Sequence, residues 1–221
     1  MKENDVILKR QSTQIFFKNG DTDFFFNWLL GIGEIFGFSH GELYYLARRL
    51  GNSPKPDDWK NVFLSHVNYL EQEASNSGLS EQTKAQYYLA QTYSLRSAIQ
   101  FTDPFSDEYL PTVRQMEKVF SSAIHSLGVP IEKLTIPYQG SYLPGYYLHS
   151  GDNCPTLIMI GGGDTYREDL FYFAGYPGWI RNYNVLMVDL PGQGSNPSRG
   201  LVFDVDASIP ISLCIDWLEN R

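Results

Sequence analysis

Three short runs in this 221-residue chain carry residue types that could do chemistry. The first, Gly161-Gly162-Gly163-Asp164, directly follows the apolar run PTLIMI. Glycines there let the backbone approach a ligand closely and leave N–H groups pointing at it, which is what holding a developing oxyanion requires. The same residues also suit a tight strand-to-helix turn that binds nothing. A dinucleotide site is excluded, because G-x-G-x-x-G needs a small residue where Tyr166 stands. The second run, Asp189-Leu190-Pro191-Gly192-Gln193-Gly194, follows NVLMV. Its D-x-x-G resembles a GTPase element, yet the chain has no G-K-[ST] phosphate loop to accompany it, so a nucleotide is rejected. The third, Gly37-Phe38-Ser39-His40-Gly41, matches G-x-S-x-G letter for letter. That pattern presents a nucleophile only when a strand precedes it. Here the preceding segment reads as helical, and Ser39 stands three residues before Glu42, the spacing of a capping box. Ser39 is therefore expected to cap a helix.

The four histidines, His40, His66, His125 and His149, lack metal-ligand spacing such as H-E-x-x-H. His66 falls on an apolar helical stripe and His125 near a helix end, so both are expected to be structural. No metal or cofactor is expected. The dense FFF and YY pairs suit either core packing between helices or the lining of an apolar cleft.

These runs need elements to position them. Residues 1–128 read as about five helices. The first, DTDFFFNWLLGIGEIF, has an expected N-cap at Asp21 or Thr22. Gly51 suits the end of the second, and Asp57 and Asp58 sit in the favourable first turn of the third. Ser80 opens the fourth, and Gly128 closes the fifth. No fixed-period repeat relates them. From Val129 the pattern changes. EKLTIPY and YLPGYYLHS flank the turn QGS and predict a β-hairpin. PTLIMI and NVLMV are apolar on both faces, as parallel strands covered on both sides by helices should be. A helix and loop separate them over 165–180, and ASIPISLCIDWLENR begins another helix. The fold class expected is α/β: an all-helical domain at 1–128, then a hairpin and two parallel strands at 129–221.

Composition narrows the function. Seventeen basic against twenty-five acidic residues give a net charge of −8 and no basic face, so nucleic acid is a poor partner. No apolar run approaches the ~18 residues of a membrane span. The opening MKENDVILKRQ lacks the apolar core of a secretory signal. Two cysteines, Cys154 and Cys214, are too few for a disulfide scaffold and suit the cytoplasm.

PTLIMIGGGDTYREDLFYF followed by NVLMVDLPGQGSNP resembles the first half of an α/β-hydrolase. It is similar in particular to the branch with a helical domain ahead of the sheet, which includes FrsA-like esterases and dihydroxy-pseudo-oxynicotine hydrolase. FNWLLGIGEIFGFSHGE, a D-D-W helix and IPYQGSYLPGYYL follow in that branch's order, so the resemblance covers nearly the whole chain. It implies an oxyanion loop at Gly162 and Gly163, with Gly161 beside it and Asp164 shaping the turn. It also implies a substrate-facing loop at Gly192, Gln193 and Gly194. In that family the nucleophilic serine, the triad acid and the triad histidine all follow the helix in which this chain ends. The expectation is thus an amino-terminal portion of a serine-type hydrolase of a small ester, amide or activated C–C bond, unable to turn over substrate as it stands. The other class the residues allow is a non-catalytic interaction or scaffold module derived from that fold. The family's strand order puts PTLIMI beside a strand absent here, so the free edge at Thr156 to Ile160 is expected to pair with a second copy or to make the chain aggregate.

Overall fold

The computed structural model describes residues 14–221, so the opening stretch examined for a leader lies outside the described residues. Five helices come first: α1 (Gly20–Ile32), α2 (His40–Leu50), α3 (Pro56–Ala74), α4 (Glu81–Ala98) and α5 (Tyr109–Ser126). α1 begins earlier than its composition suggests. Asn19 is its cap, its Oδ1 accepting from the amides of Asp21 and Thr22 at 3.0 Å each. Asp23, buried in the first turn, instead accepts from the amides of Ile15, Phe16 and Phe17, which anchors the incoming chain. Asn, Asp and Thr are all good caps, so composition does not choose among them, and the expected caps Asp21 and Thr22 instead lie in the first turn with their amides on Asn19.

Of the aromatic runs, Phe26, Tyr146 and Tyr147 are buried, Phe24, Phe25, Tyr87 and Tyr88 are half-buried, and Tyr44 and Tyr45 are exposed. Phe17, Phe26, Phe36, Phe38, Trp59, Phe63 and Tyr93 form one buried cluster. At roughly 2–3 kcal/mol for each fully buried large apolar side chain, this cluster is a main source of stability for the helical part.

The second part is a mixed four-stranded sheet: β1 (Ile131–Tyr138), β2 (Ser141–Leu148), β3 (Thr156–Ile160) and β4 (Asn184–Val188), in the order β1-β2-β4-β3. β1 and β2 form the expected hairpin, β2 pairs antiparallel with β4, and β3 pairs parallel with β4 from Thr156↔Asn184 to Ile160↔Val188. β4 is buried along its whole length. Its Leu186 and Val188 face α8 (Ser208–Glu219) through Cys214 and Trp217, while Val185 and Met187 face Phe120, Ile124 and Phe171. Helices therefore cover both faces, which is why NVLMV has no polar alternation.

β3 departs from that expectation in degree. Among the described residues it has β4 on one side and no strand on the other, and Leu157 and Ile160 are partly exposed. Between β3 and β4 the chain runs through α6 (Arg167–Leu170), a π-helical turn (Phe171–Gly175) and α7 (Tyr176–Trp179). The helical part is joined to the sheet by shared core. Tyr166 packs with Val67, Leu95 and Met116, and α5 lies directly on the sheet through Phe120 and Ile124.

Candidate active site at the carboxyl end of the sheet

The two glycine runs meet where β3 and β4 end, the edge at which ligands bind in open α/β sheets. Gly162, Gly163 and Asp164 are exposed, whereas Gln193, Gly194, Ser195 and Asn196 are buried. The link between the loops is one side chain. Gln193 Nε2 donates to the carbonyls of Gly161 (2.6 Å) and Gly162 (2.9 Å), and its Oε1 accepts from the Leu190 amide at 2.8 Å. The reverse amide orientation would aim an acceptor at two acceptors, so the hydrogen bonds fix the group. Asn196 Nδ2 braces the second loop by donating to the carbonyls of Asp189 and Leu190, each at 2.8 Å.

Gln193 thus holds two carbonyls of the first turn. Among the described residues, the amides of Gly162 and Gly163 donate no hydrogen bond. Gly194 is required where it stands: φ is +52°, and a Cβ would run into the Asp189 carboxylate. Gly192, at φ +87°, leaves room for the Phe203 ring, which also comes to 3.4 Å from the Cβ position of Gly163. Phe203 thus lies across both loops and walls a cleft of about 220 Å³ shared with Arg96, Gln100, Tyr109 and Tyr166.

The helical part supplies the opposite wall and reaches the turn itself. Arg96 of α4, 2% exposed, donates from Nη2 to the Asp164 carbonyl, from Nη1 to Gln100 Oε1 (2.7 Å) and from Nε to Asp169 Oδ2 (3.2 Å). Its guanidinium lies 4.3 Å from the Tyr166 ring centre. Burial works against its charge, but Asp169, Tyr166 and Tyr93 together offset this and keep it a cation. Tyr109 of α5 donates its hydroxyl to the Gly194 carbonyl at 2.9 Å, which leaves Tyr166 to donate to the Tyr109 oxygen at 2.7 Å. Burial raises both phenols, so they remain protonated donors at neutral pH.

Behind the second loop, Asp189 accepts from the Arg167 amide (2.7 Å) and Nη1 (2.6 Å), while Arg167 Nη2 reaches Glu117 of α5 at 2.6 Å. Tyr146 donates to Glu168 Oε1 at 2.7 Å. One guanidinium here faces three carboxyls. Burial accordingly pushes Glu168 up to about 7 and Asp189 up to about 6. Glu168 makes the longest of the three contacts to Arg167, 3.5 Å.

Ser39 stands apart from all of this. It caps α2, its Oγ accepting from the Glu42 amide at 3.1 Å while Glu42 Oε2 accepts from the Ser39 amide at 3.4 Å. Glu42 Oε1 also meets His66 Nε2 at 2.9 Å, and His66 Nδ1 meets Ser94 Oγ at 2.9 Å. This serine–histidine–carboxylate chain is a tether between α2, α3 and α4. Ser94 is fully buried and donates to the Ala90 carbonyl, so no substrate reaches it. Among the described residues no His, Cys, Asp or Glu group is arranged to hold a metal.

Sequence reading found both glycine loops and missed Arg96, Tyr109, Tyr166 and Phe203 as parts of the cleft. Arg96 and Tyr109 lie 68 and 85 residues from their partners in the loops, and no local pattern signals such a contact. Phe203 sits in a polar loop where an isolated aromatic has no period to be read against.

Comparisons with known proteins agree with this architecture. No family model matches the sequence. The chain is 31% identical over 125 residues to the hydrolase ffsE of Aspergillus flavipes, covering 50% of this chain and 28% of that protein. It is 27% identical over 212 residues to the hydrolyase ccsE of Aspergillus clavatus, covering 87% and 48%. With the alpha/beta hydrolase ucsC of an Acremonium species it shares 26% identity over 188 residues, covering 74% and 38%. Among solved structures, AbyA5 superposes with a TM-score of 0.67 at 18% identity, over 91% of this chain and 52% of that one. The 2,6-dihydroxy-pseudo-oxynicotine hydrolase gives 0.56 at 21%, over 74% and 46%. The chain has an α/β-hydrolase-like fold, and the sequence relatives it matches are named hydrolases or hydrolyases. It spans about half the length of these relatives, or less. Among the described residues, no helix is long and apolar enough to cross a membrane.

Proposed function

We propose that this chain forms the oxyanion-loop and substrate-facing part of a serine-type α/β-hydrolase that cleaves a small ester, amide or activated C–C bond. The observation that carries this is the Gln193 brace. It holds the Gly161 and Gly162 carbonyls, while the amides of the exposed Gly162 and Gly163 donate no hydrogen bond among the described residues and Gly163 lines the cleft. In α/β-hydrolases one oxyanion donor comes from the loop between β3 and the following helix, the place this turn occupies. As a nucleophile adds to the substrate carbonyl, negative charge grows on its oxygen, and a fixed amide there lowers the barrier by roughly 3 kcal/mol. Tyr109, Tyr166 and Phe203 then shape the space for the rest of a small substrate. On this reading the nucleophile, acid and base are supplied by residues other than those of this chain. The free edge of β3 gains a strand neighbour, in a longer protein or in a second copy.

The coding sequence after Arg221 tests this. Continuation into strand–G-x-S-x-G–helix, with a product that hydrolyses p-nitrophenyl butyrate while residues 1–221 alone do not, is the expected result. Turnover by residues 1–221 that Ser39→Ala abolishes would overturn it. An immediate stop codon would instead favour a non-catalytic module.

A further inference from the structure

The structure assigns a second binding site, for a small anion, to the cleft between α5 and the β1–β2 hairpin. This cleft has a volume of about 220 Å³ and shares no lining residue with the cleft at the glycine loops. Arg114, Lys133, Arg167 and Arg199 line it, with Glu117 the one acidic residue in its wall. In a chain of net charge −8, four cations around one small cleft stand out.

The charges behind them decide what the cleft can take. Arg167 is shared by Glu117 and Asp189, each at 2.6 Å, and Glu168 at 3.5 Å, so it is not available to a ligand as a free charge. Arg199 is different. It donates from Nη1 to Ser195 Oγ at 2.7 Å and from Nη2 to the Tyr142 carbonyl at 3.2 Å and to Asn196 Oδ1, all neutral acceptors. Its guanidinium stacks 4.3 Å from the Tyr142 ring centre, and its buried Nε has no hydrogen-bond partner among the described residues. Among the described residues no carboxylate lies within ion-pair distance of Arg199, Lys133 or Arg114. A partly buried cation without a counter-charge is costly, and buried charges are ordinarily paired. The missing counter-charge is a ligand anion. Arg199 keeps its positive charge and one Nη1 N–H beyond these bonds for a phosphate or carboxylate oxygen, and the exposed Lys133 and Arg114 add positive charge at the rim. Leu110, Leu134 and Pro144 give the same cleft apolar walls, which fit the organic part of a phosphate monoester.

Isothermal titration of the chain with inorganic phosphate, at constant ionic strength in a chloride background, tests the site. Saturable binding to one site is expected. Lys133→Ala and Arg114→Ala, both exposed and outside the hydrogen-bonded framework, should each weaken it about fivefold and leave the far-UV spectrum unchanged. Tighter binding of phenyl phosphate than of inorganic phosphate upholds the site with an organic occupant, and equal binding upholds it with the free ion. Absence of saturable heat, or affinity unchanged in the double variant, would overturn the assignment.

Discussion

At the scale of single residues, the glycine turn depends on Gln193, whose side-chain hydrogen bonds are all spent. Gln193 satisfies two carbonyls and one buried amide, so Gln193→Ala leaves the Leu190 amide without its acceptor and frees the glycine turn. A loss of about 1–3 kcal/mol in denaturant unfolding is expected. A neutral effect would mean that the brace is incidental. The Arg167 cluster makes a pH prediction. Burial raises the Glu168 carboxyl to about 7, with Asp189, Glu117, Arg167 and Tyr146 around it. Between an ordinary glutamate value and 7, the folded state then holds a proton that the unfolded chain has released. That contribution is complete at low pH and is lost as pH rises through about 7. Glu168→Gln has no such proton to lose. Its Tm relative to the parent should therefore climb between pH 5 and pH 8, whereas parallel curves would place the proton elsewhere.

At the scale of elements, much was legible. Apolar runs followed by glycine loops marked β3 and β4, and the turn QGS marked the hairpin, because each of these signals is local. Capping was legible at Ser39, where Glu42 completes the box, and missed at Asn19, whose Oδ1 accepts from the amides of Asp21 and Thr22, the residues expected to cap. Periodicity could not show that α6 and α7 are joined by a π-helical turn, since the run FYFAG reads equally as helix or loop. The nature of Ser39 is itself testable. Ser39→Ala should cost about 1 kcal/mol of stability, as loss of a cap does. It should leave ester hydrolysis by any longer form of the protein unchanged; a loss of turnover greater than the loss of folded protein would make Ser39 part of the chemistry.

At the scale of the whole molecule, the helical part does more than cover the cleft. Arg96 carries a charge from α4 to the Asp164 carbonyl and to Asp169, and Tyr109 carries a hydroxyl from α5 to Gly194. Fold class could be read from the change in pattern at Val129, but this coupling could not, because it is made by single polar side chains across long sequence separations. Arg96→Met strands Asp169 in the interior and should cost about 3–5 kcal/mol, and the double variant with Asp169→Leu should recover part of that loss. Simple additivity of the two would argue against a direct tie. The central claim is that the glycine turn after β3 receives a developing oxyanion. A crystal structure of the extended coding product, phosphonylated at its nucleophile by an aryl phosphonate, tests it most directly. The phosphonyl oxygen should lie about 3 Å from the amide nitrogen of Gly162 or Gly163. An adduct whose oxygen is bound away from that turn would contradict the claim.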